Sequence, residues 1–444
     1  MKSLCRLLFV ALSLIAAAVV STPASPLVDC AITLDRSVLP AGSEHTAVLK
    51  ISLDVPNLPR DGGRAPINLA LALDRSGSMS GEKIARAREA ALAALDRLGP
   101  EDLFSLVVYD HSVETLVPPQ SPANRDWIEA RIRSITPGGN TALYGAVSQA
   151  AAEVRRNLRR GYIHRIVLLS DGQANVGPSS PQDLARFGAA LIKEGISVST
   201  VGIGDGYNED LMSKLADRSD GNHYFAALSG DLPRIFAAEL GDLLSVVARR
   251  VVIEIDCPDG VRPLRVIGRD GRIRGRRAEI HLNQLYGGQE KYALLEVAVA
   301  PGEVAESRTL ATVRCSYENA LTRSAEEARS IASVRFSQEE REVRRSASRE
   351  VQKAVVENEI AEVREEALDL YNAGKKDEAV RQLKTRGAEL SSRNEALGFS
   401  DLAAEAEALD ADAASFAAPA PLAPSEKKLL RSESYKVRKQ QKDY

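Results

Sequence analysis

Cysteine is scarce. Four occur in 444 residues, and the first, Cys5, precedes an apolar stretch, which leaves Cys30, Cys257 and Cys315 in the bulk of the chain. No Cys-x-x-Cys or Cys-x-x-His spacing is present, so zinc-finger and dithiol-redox readings have no support. Net charge is nearly absent too. At −3 over this length there is no broad field of the kind that binds nucleic acid. A Gly-x-x-x-x-Gly-Lys-Ser/Thr phosphate loop and a Gly-x-Ser-x-Gly nucleophile elbow are both missing, which removes the usual supports of nucleotide hydrolysis and serine-esterase chemistry.

Long apolar runs are also lacking, save one. Lys2 and Arg6 precede the 14 residues Leu7 to Val20, and "STPAS" follows. That is the layout of a secretory signal, with cleavage after Ala24. A helix of this length is roughly 21 Å long, short of the ~30 Å hydrocarbon core. Residues 1–24 are therefore expected to be a signal peptide. The mature chain is expected to be exported, periplasmic or extracellular, with no transmembrane segment. An oxidising compartment permits one disulfide and one leftover thiol. Cys30 with Cys257 and Cys257 with Cys315 both fit, and spacing does not choose.

What is present is ordinary soluble composition, 44% hydrophobic and 27% charged, over a length suited to two to four domains. Residues 28–56 alternate as two or three strands. Over 66–248, strand-like runs alternate with amphipathic segments: "INLALAL", a helix near 82–98, "LFSLVVY", a helix near 142–158, "RIVLLS", a helix near 181–194, then "ISVSTVGIG". Helices near 208–218 and 231–247 flank the short "NHYFA". This alternation predicts a mostly parallel sheet covered on both faces. Strands return over 249–336. Two isolated N-terminal strands are marginal, so 28–56 is expected to join them in one β-sandwich. Residues 337–411 read as helical, including a turn at "YNAGKKDEAVRQL" of tetratricopeptide flavour. Residues 412–444 read as a Pro/Ala linker and a mobile basic tail, with seven Lys or Arg against three Asp or Glu from residue 425.

The run "ALDRSGSMSG" closes a core strand with Asp74, Ser76 and Ser78 at alternate positions. In open α/β sheets ligands gather at the carboxyl edge of the strands. Thr141, in the glycine-rich loop "TPGGNTALYGA", and Asp171, just past the strand "IVLLS", fall on the same edge. Oxygen-only donors suit a hard divalent cation: Mg²⁺ first, with Ca²⁺ and Mn²⁺ as alternatives. Two carboxylates and three hydroxyls barely neutralise such an ion, so one further anionic oxygen, from a partner protein's carboxylate, would complete it.

The pattern "DRSGSMS … GGNTALYGA … LLSDGQANVG" closely resembles the von Willebrand factor type A domain with a complete metal-ion-dependent adhesion site, over roughly residues 66–248. The counterparts are Asp74, Ser76, Ser78, Thr141 and Asp171, with no departure. The flanks resemble bacterial secreted members of that superfamily and, more distantly, the inter-alpha-trypsin-inhibitor heavy chains. The resemblance implies a six-stranded, doubly wound, mostly parallel α/β sheet with an antiparallel edge strand in the hairpin "LVVYDHSVETLVP". It also implies a last helix, about Leu232 to Val247, that can shift on ligand binding.

Plainer readings stand beside these. Asp205 reads as a turn residue, His111, His164 and His223 as structural or surface, Tyr144 and Tyr207 as helix packing. The five arginines of "GRDGRIRGRRAEI" read as a solvated hairpin tip. The function expected is a secreted, non-enzymatic, metal-dependent protein-binding or adhesion module. The alternatives are a metal-assisted hydrolase or phosphotransferase, disfavoured because no general base accompanies the oxygen donors, and a scaffold that binds through its β and helical parts.

Overall fold

A computed structural model describes residues 27–57, 63–159, 161–174 and 176–443. The expected signal sequence lies outside them. Among the described residues no helix is long and apolar enough to cross a membrane.

The chain opens with β1 (Asp29–Leu34), β2 (Val38–Pro40) and β3 (His45–Val55), then enters an α/β unit. There β4 (Ile67–Asp74) leads to α1 (Glu82–Asp96), followed by the hairpin β5 (Leu103–Tyr109) and β6 (Val113–Gln120). Next come α2 (Arg125–Arg133), α3 (Leu143–Arg155), β7 (Ile163–Ser170), α4 (Pro181–Leu191), β8 (Ile196–Ile203), α5 (Glu209–Arg218), β9 (His223–Ala226) and α6 (Leu232–Leu244). The strand order is β6-β5-β4-β7-β8-β9, parallel throughout except for the antiparallel β5–β6 pair at one edge. All eight residues of β4, β7 and β8 are buried, which is why they read as continuous apolar runs rather than alternating ones. One face packs on α1, α2 and α6, the other on α3, α4 and α5. Local chemistry sets the helix starts. Ser180 caps α4 by accepting from Asp183 N at 3.1 Å with Pro181 following, and Asn208 Oδ1 caps α5 through Leu211 N at 3.1 Å. The sequence reading missed α2, whose buried face amounts to Ile128 and Ile132.

A sandwich of two sheets follows, built from β10 (Val246–Asp256), β11 (Val261–Ile267), β12 (Arg272–Arg274), β13 (Arg277–Tyr286), β14 (Gln289–Val299), β15 (Ser307–Asn319) and β16 (Ala325–Ser337). The N-terminal strands belong to it. β3 pairs with β14 from His45↔Val299 to Val55↔Gln289, β1 extends that sheet, and β2 pairs with β16 on the facing one. Both sheets enclose one apolar core. Cys30, Cys257 and Cys315 lie in it as free, buried thiols, with neither of the pairings that an oxidising compartment permits. Burial pushes the Cys30 and Cys257 thiols up to about 11. The arginine-rich segment is the β12–β13 hairpin, with Arg272, Arg274, Arg276 and Arg277 exposed.

The C-terminal region holds α7 (Glu340–Arg345), α8 (Arg349–Asn372), α9 (Lys376–Ala396) and α10 (Ser400–Ala417). Beyond it the structure corrects the expectation of a mobile basic tail. Residues 424–438 form α11 (Pro424–Arg438), and β17 (Gln441–Asp443) pairs with Gln289–Lys291 of β14. The reason is charge and burial. Lys428 meets Glu209 at 3.0 Å, Arg431 meets Asp369 at 2.8 Å, Lys439 meets Asp220 at 3.0 Å, and the buried Tyr435 donates its hydroxyl to Gly221 O at 2.6 Å.

Candidate functional site

β4 runs through the middle of the sheet, between β5 and β7, so its last residue stands at the centre of the carboxyl edge. That residue, Asp74, is fully buried. Its Oδ1 accepts from Ser76 N at 2.8 Å, which turns the chain back sharply, and its Oδ2 accepts from Ser170 Oγ at 2.7 Å. A 3₁₀ turn, Gly77–Met79, then drops the Met79 side chain into the core before α1 begins.

The glycine-rich loop is stitched against this turn. Gly138 N donates to Arg75 O at 2.7 Å, Gly77 N donates to Gly139 O at 3.1 Å, and Ala142 N donates to Asp110 O at 2.8 Å. Gly139 has φ +78, and a Cβ there would lie 3.0 Å from Asp110 Cβ, so a larger residue is strained at this close approach of the loop. Thr141 follows, buried. A Cβ on Gly172 would sit 3.0 Å from Thr141 Oγ1 and 3.8 Å from Ser78 Oγ, which places both hydroxyls beside the Asp171–Gly172 bend.

Asp171, the residue after β7, completes the group. Ser78 Oγ donates to its Oδ1 at 2.6 Å and lies 3.0 Å from Ser76 Oγ. Asp74, Ser76, Ser78 and Asp171 thus form one chain of contacts, with Thr141 alongside. Four of the five are buried and Ser78 is exposed, so the cluster opens to solvent on the Ser78 side. Burial pushes the Asp74 carboxyl up to about 6; hydrogen bonds from Ser76 and Ser170 act the other way, and the neighbouring Asp171 charge adds to the rise. Two buried acids near each other, lined by hydroxyls, form a set that a hard cation would relieve. Among the described residues no trio of His, Cys, Asp or Glu is placed to hold a metal by itself, so any cation here would depend on the hydroxyls.

Two contributors escaped the sequence reading. Ser170 directly precedes Asp171, and its position as the last residue of a strand was the available signal. Lys83, in the first turn of α1, donates from Nζ to Asp171 Oδ2; only the folded return of α1 over the turn reveals it. The remaining candidates lie elsewhere or do other work. Asp205 is exposed. His111 is 66% exposed in its side chain and sits 3.3 Å from Asp110. His164 and His223 are buried in β7 and β9. Tyr144 packs on Phe187 with ring centroids 5.1 Å apart, and Tyr207 is buried under Lys428, 4.9 Å from its ring.

Comparison with known proteins agrees with this architecture. Residues 68–238 match the von Willebrand factor type A domain. Among solved structures, a von Willebrand factor type A protein from Catenulispora acidiphila superposes with a TM-score of 0.66 at 19% identity, covering 87% of this chain and 91% of that one. The ArnB paralog VWA2 from Sulfolobus acidocaldarius gives 0.62 at 19% identity, over 93% and 98%. Likeness at that identity concerns the fold. Among curated sequences, the uncharacterized protein YfbK of Escherichia coli (strain K12) is 27% identical over 57% of this chain and 44% of its own length. Human inter-alpha-trypsin inhibitor heavy chain H4 is 30% identical over 34% of this chain and 17% of its own length. The chain thus spans less than half the length of these curated relatives. Domains of this type commonly mediate protein–protein interaction and are generally non-enzymatic.

Proposed function

We propose that the type A domain of this chain is a metal-dependent protein-binding module of an exported protein. Asp74, Ser76, Ser78, Thr141 and Asp171 would hold one divalent cation, Mg²⁺ foremost. The observation that carries the reading is the contact chain Asp74–Ser76–Ser78–Asp171, with Thr141 beside it, at the carboxyl edge of the sheet. A hard cation, when bound, supplies a coordination position for one more oxygen ligand. The chain's own residues do the rest. Asp74 and Asp171 neutralise charge, the three hydroxyls orient without adding charge, and exposed Ser78 leaves an approach for a partner's carboxylate. Both carboxylates are engaged within the cluster, Asp74 by Ser76 N and Ser170 Oγ and Asp171 by Ser78 Oγ and Lys83 Nζ, which supports holding an ion rather than activating a substrate. Export is part of the proposal and rests on the leader-like sequence of residues 1–24.

A thermal melt with and without Mg²⁺ tests this reading. At a hundredfold excess over Kd, ligand linkage stabilises by about 2.7 kcal/mol. The wild-type melting temperature should rise and that of Asp74→Ala should not. Identical behaviour of the two proteins in Mg²⁺, Mn²⁺ and Ca²⁺ refutes it.

A further inference from the structure

Lys83 occupies an electrostatically awkward position. It lies in the first turn of α1, where the helix dipole favours anions and disfavours a cation. Its neighbour Glu82 fits that preference and pairs with Arg86 at 3.3 Å. Lys83 instead reaches across to the end of another strand, and its ammonium donates to Asp171 Oδ2. The Asp171 side chain has no solvent exposure, and its other oxygen accepts from Ser78 Oγ at 2.6 Å. A positive side chain is therefore placed, against local helix preference, on one of the two acids of the oxygen cluster.

We infer that Lys83 is an internal rival of the divalent cation: its ammonium and the ion compete for Asp171, so Lys83 sets the cation concentration at which the site loads. The inference rests on the metal-dependent reading above. An ammonium and a divalent ion drawn to the same buried carboxylate repel each other, which weakens the binding of the ion. Loading is therefore opposed while the ammonium stays on Oδ2 and eased when it withdraws. Lys83 is built for this, because its side chain is 35% exposed and its flexible stem can carry the charge outward into water. With the ion absent, the same contact supplies Asp171 with a counter-charge, so the cluster keeps its shape without metal. The site would load only above a threshold and would discriminate against singly charged ions, which compete poorly with a tethered ammonium.

Calorimetric titration of Mg²⁺ and Mn²⁺ into the full chain tests this, using wild type, Lys83→Met and Lys83→Arg, with melts of each in chelator. Removing a unit charge at this range should tighten cation binding about tenfold in Lys83→Met, whereas Lys83→Arg, which keeps the charge, should not gain affinity. In chelator, Lys83→Met should melt below wild type, and its rise on adding Mn²⁺ should be the larger. Cation binding that is equal or weaker in Lys83→Met overturns the inference and leaves the metal site standing. Failure of wild type and Lys83→Met alike to bind either cation overturns the metal site and this inference together.

Discussion

His223 shows how much a single buried ring can decide. Its Nδ1 lies 2.8 Å from Thr200 Oγ1, and that hydroxyl already donates to Met212 O at 3.2 Å. On the far side of the ring Nε2 has no protein partner. Burial, helped by the Arg431 charge, lowers the His223 pKa to about 3; burial, with Arg249, lowers that of His164 to about 4. Both values lie below the unfolded value of about 6.5. The unfolded chain then binds more protons below that pH, and the stability these rings contribute is lost as pH falls from about 6.5 toward 4 and 3. Asp74 has the opposite sign. Its raised pKa weakens the fold as pH rises from about 4 to about 6. At about 1.4 kcal/mol per pKa unit, the histidines should dominate. Urea unfolding from pH 7 to 4 should show stability falling, with a shallower slope in His223→Gln. An identical slope in the variant would refute the assignment.

At the scale of elements, α6 is held by one buried ion pair. Arg165 in β7 meets Glu239 in α6 at 2.9 Å, and both side chains are 1% exposed. Glu239 also accepts from Ser199 Oγ at 2.6 Å, Asn222 Nδ2 at 2.9 Å and Tyr224 OH at 3.0 Å. Arg165 reaches onward to Gln284 at 2.7 Å and Tyr286 at 3.1 Å, both in β13 of the sandwich. The pair thus fastens the last helix of the α/β unit to three of its strands and to the neighbouring domain. Breaking a buried pair from one side strands the other charge and costs about 3–5 kcal/mol. Arg165→Met should lose that much in denaturant titration, and the double variant Arg165→Met/Glu239→Gln should recover part of it. Equal losses in single and double variants would mean that packing, not charge, holds the helix. This network was not readable beforehand, because Arg165 lies in "HRIVLLS" among apolar residues and its partners are 34 to 121 positions away.

At the scale of the whole molecule, the C-terminal segment joins all three regions. α11 packs along α8 and against α5 and β9, and β17 adds to the sandwich edge at β14. The α5 side matters because that helix follows the loop behind the oxygen cluster. Gln173 Nε2 donates to Gly206 O at 2.7 Å, and a Cβ on Gly206 would fall 2.5 Å from the Asp171 carbonyl oxygen. Removing residues 424–444 should therefore raise hydrogen exchange in α5 and β9 and lower the melting temperature, while the distant β5–β6 hairpin keeps its protection. Unchanged exchange in α5 would show that the tail rests on the domain without bracing it.

The α/β alternation, the strand-rich second region and the pattern of five oxygen donors in loops of one sheet edge were legible in the residues, while the edge hairpin followed from the family resemblance. The reason is that apolar periodicity and turn chemistry are local, so they survive without knowledge of what packs on what. Long-range matters were decided only on folding. Lys83 and Ser170 joined the oxygen cluster, three thiols were gathered as free cysteines in one core, and a tail that reads as a solvated basic end found the acids of α5 and α8. Each of these depends on where separate elements come to lie, and charge or polarity along the chain does not state which distant partner will neutralise it.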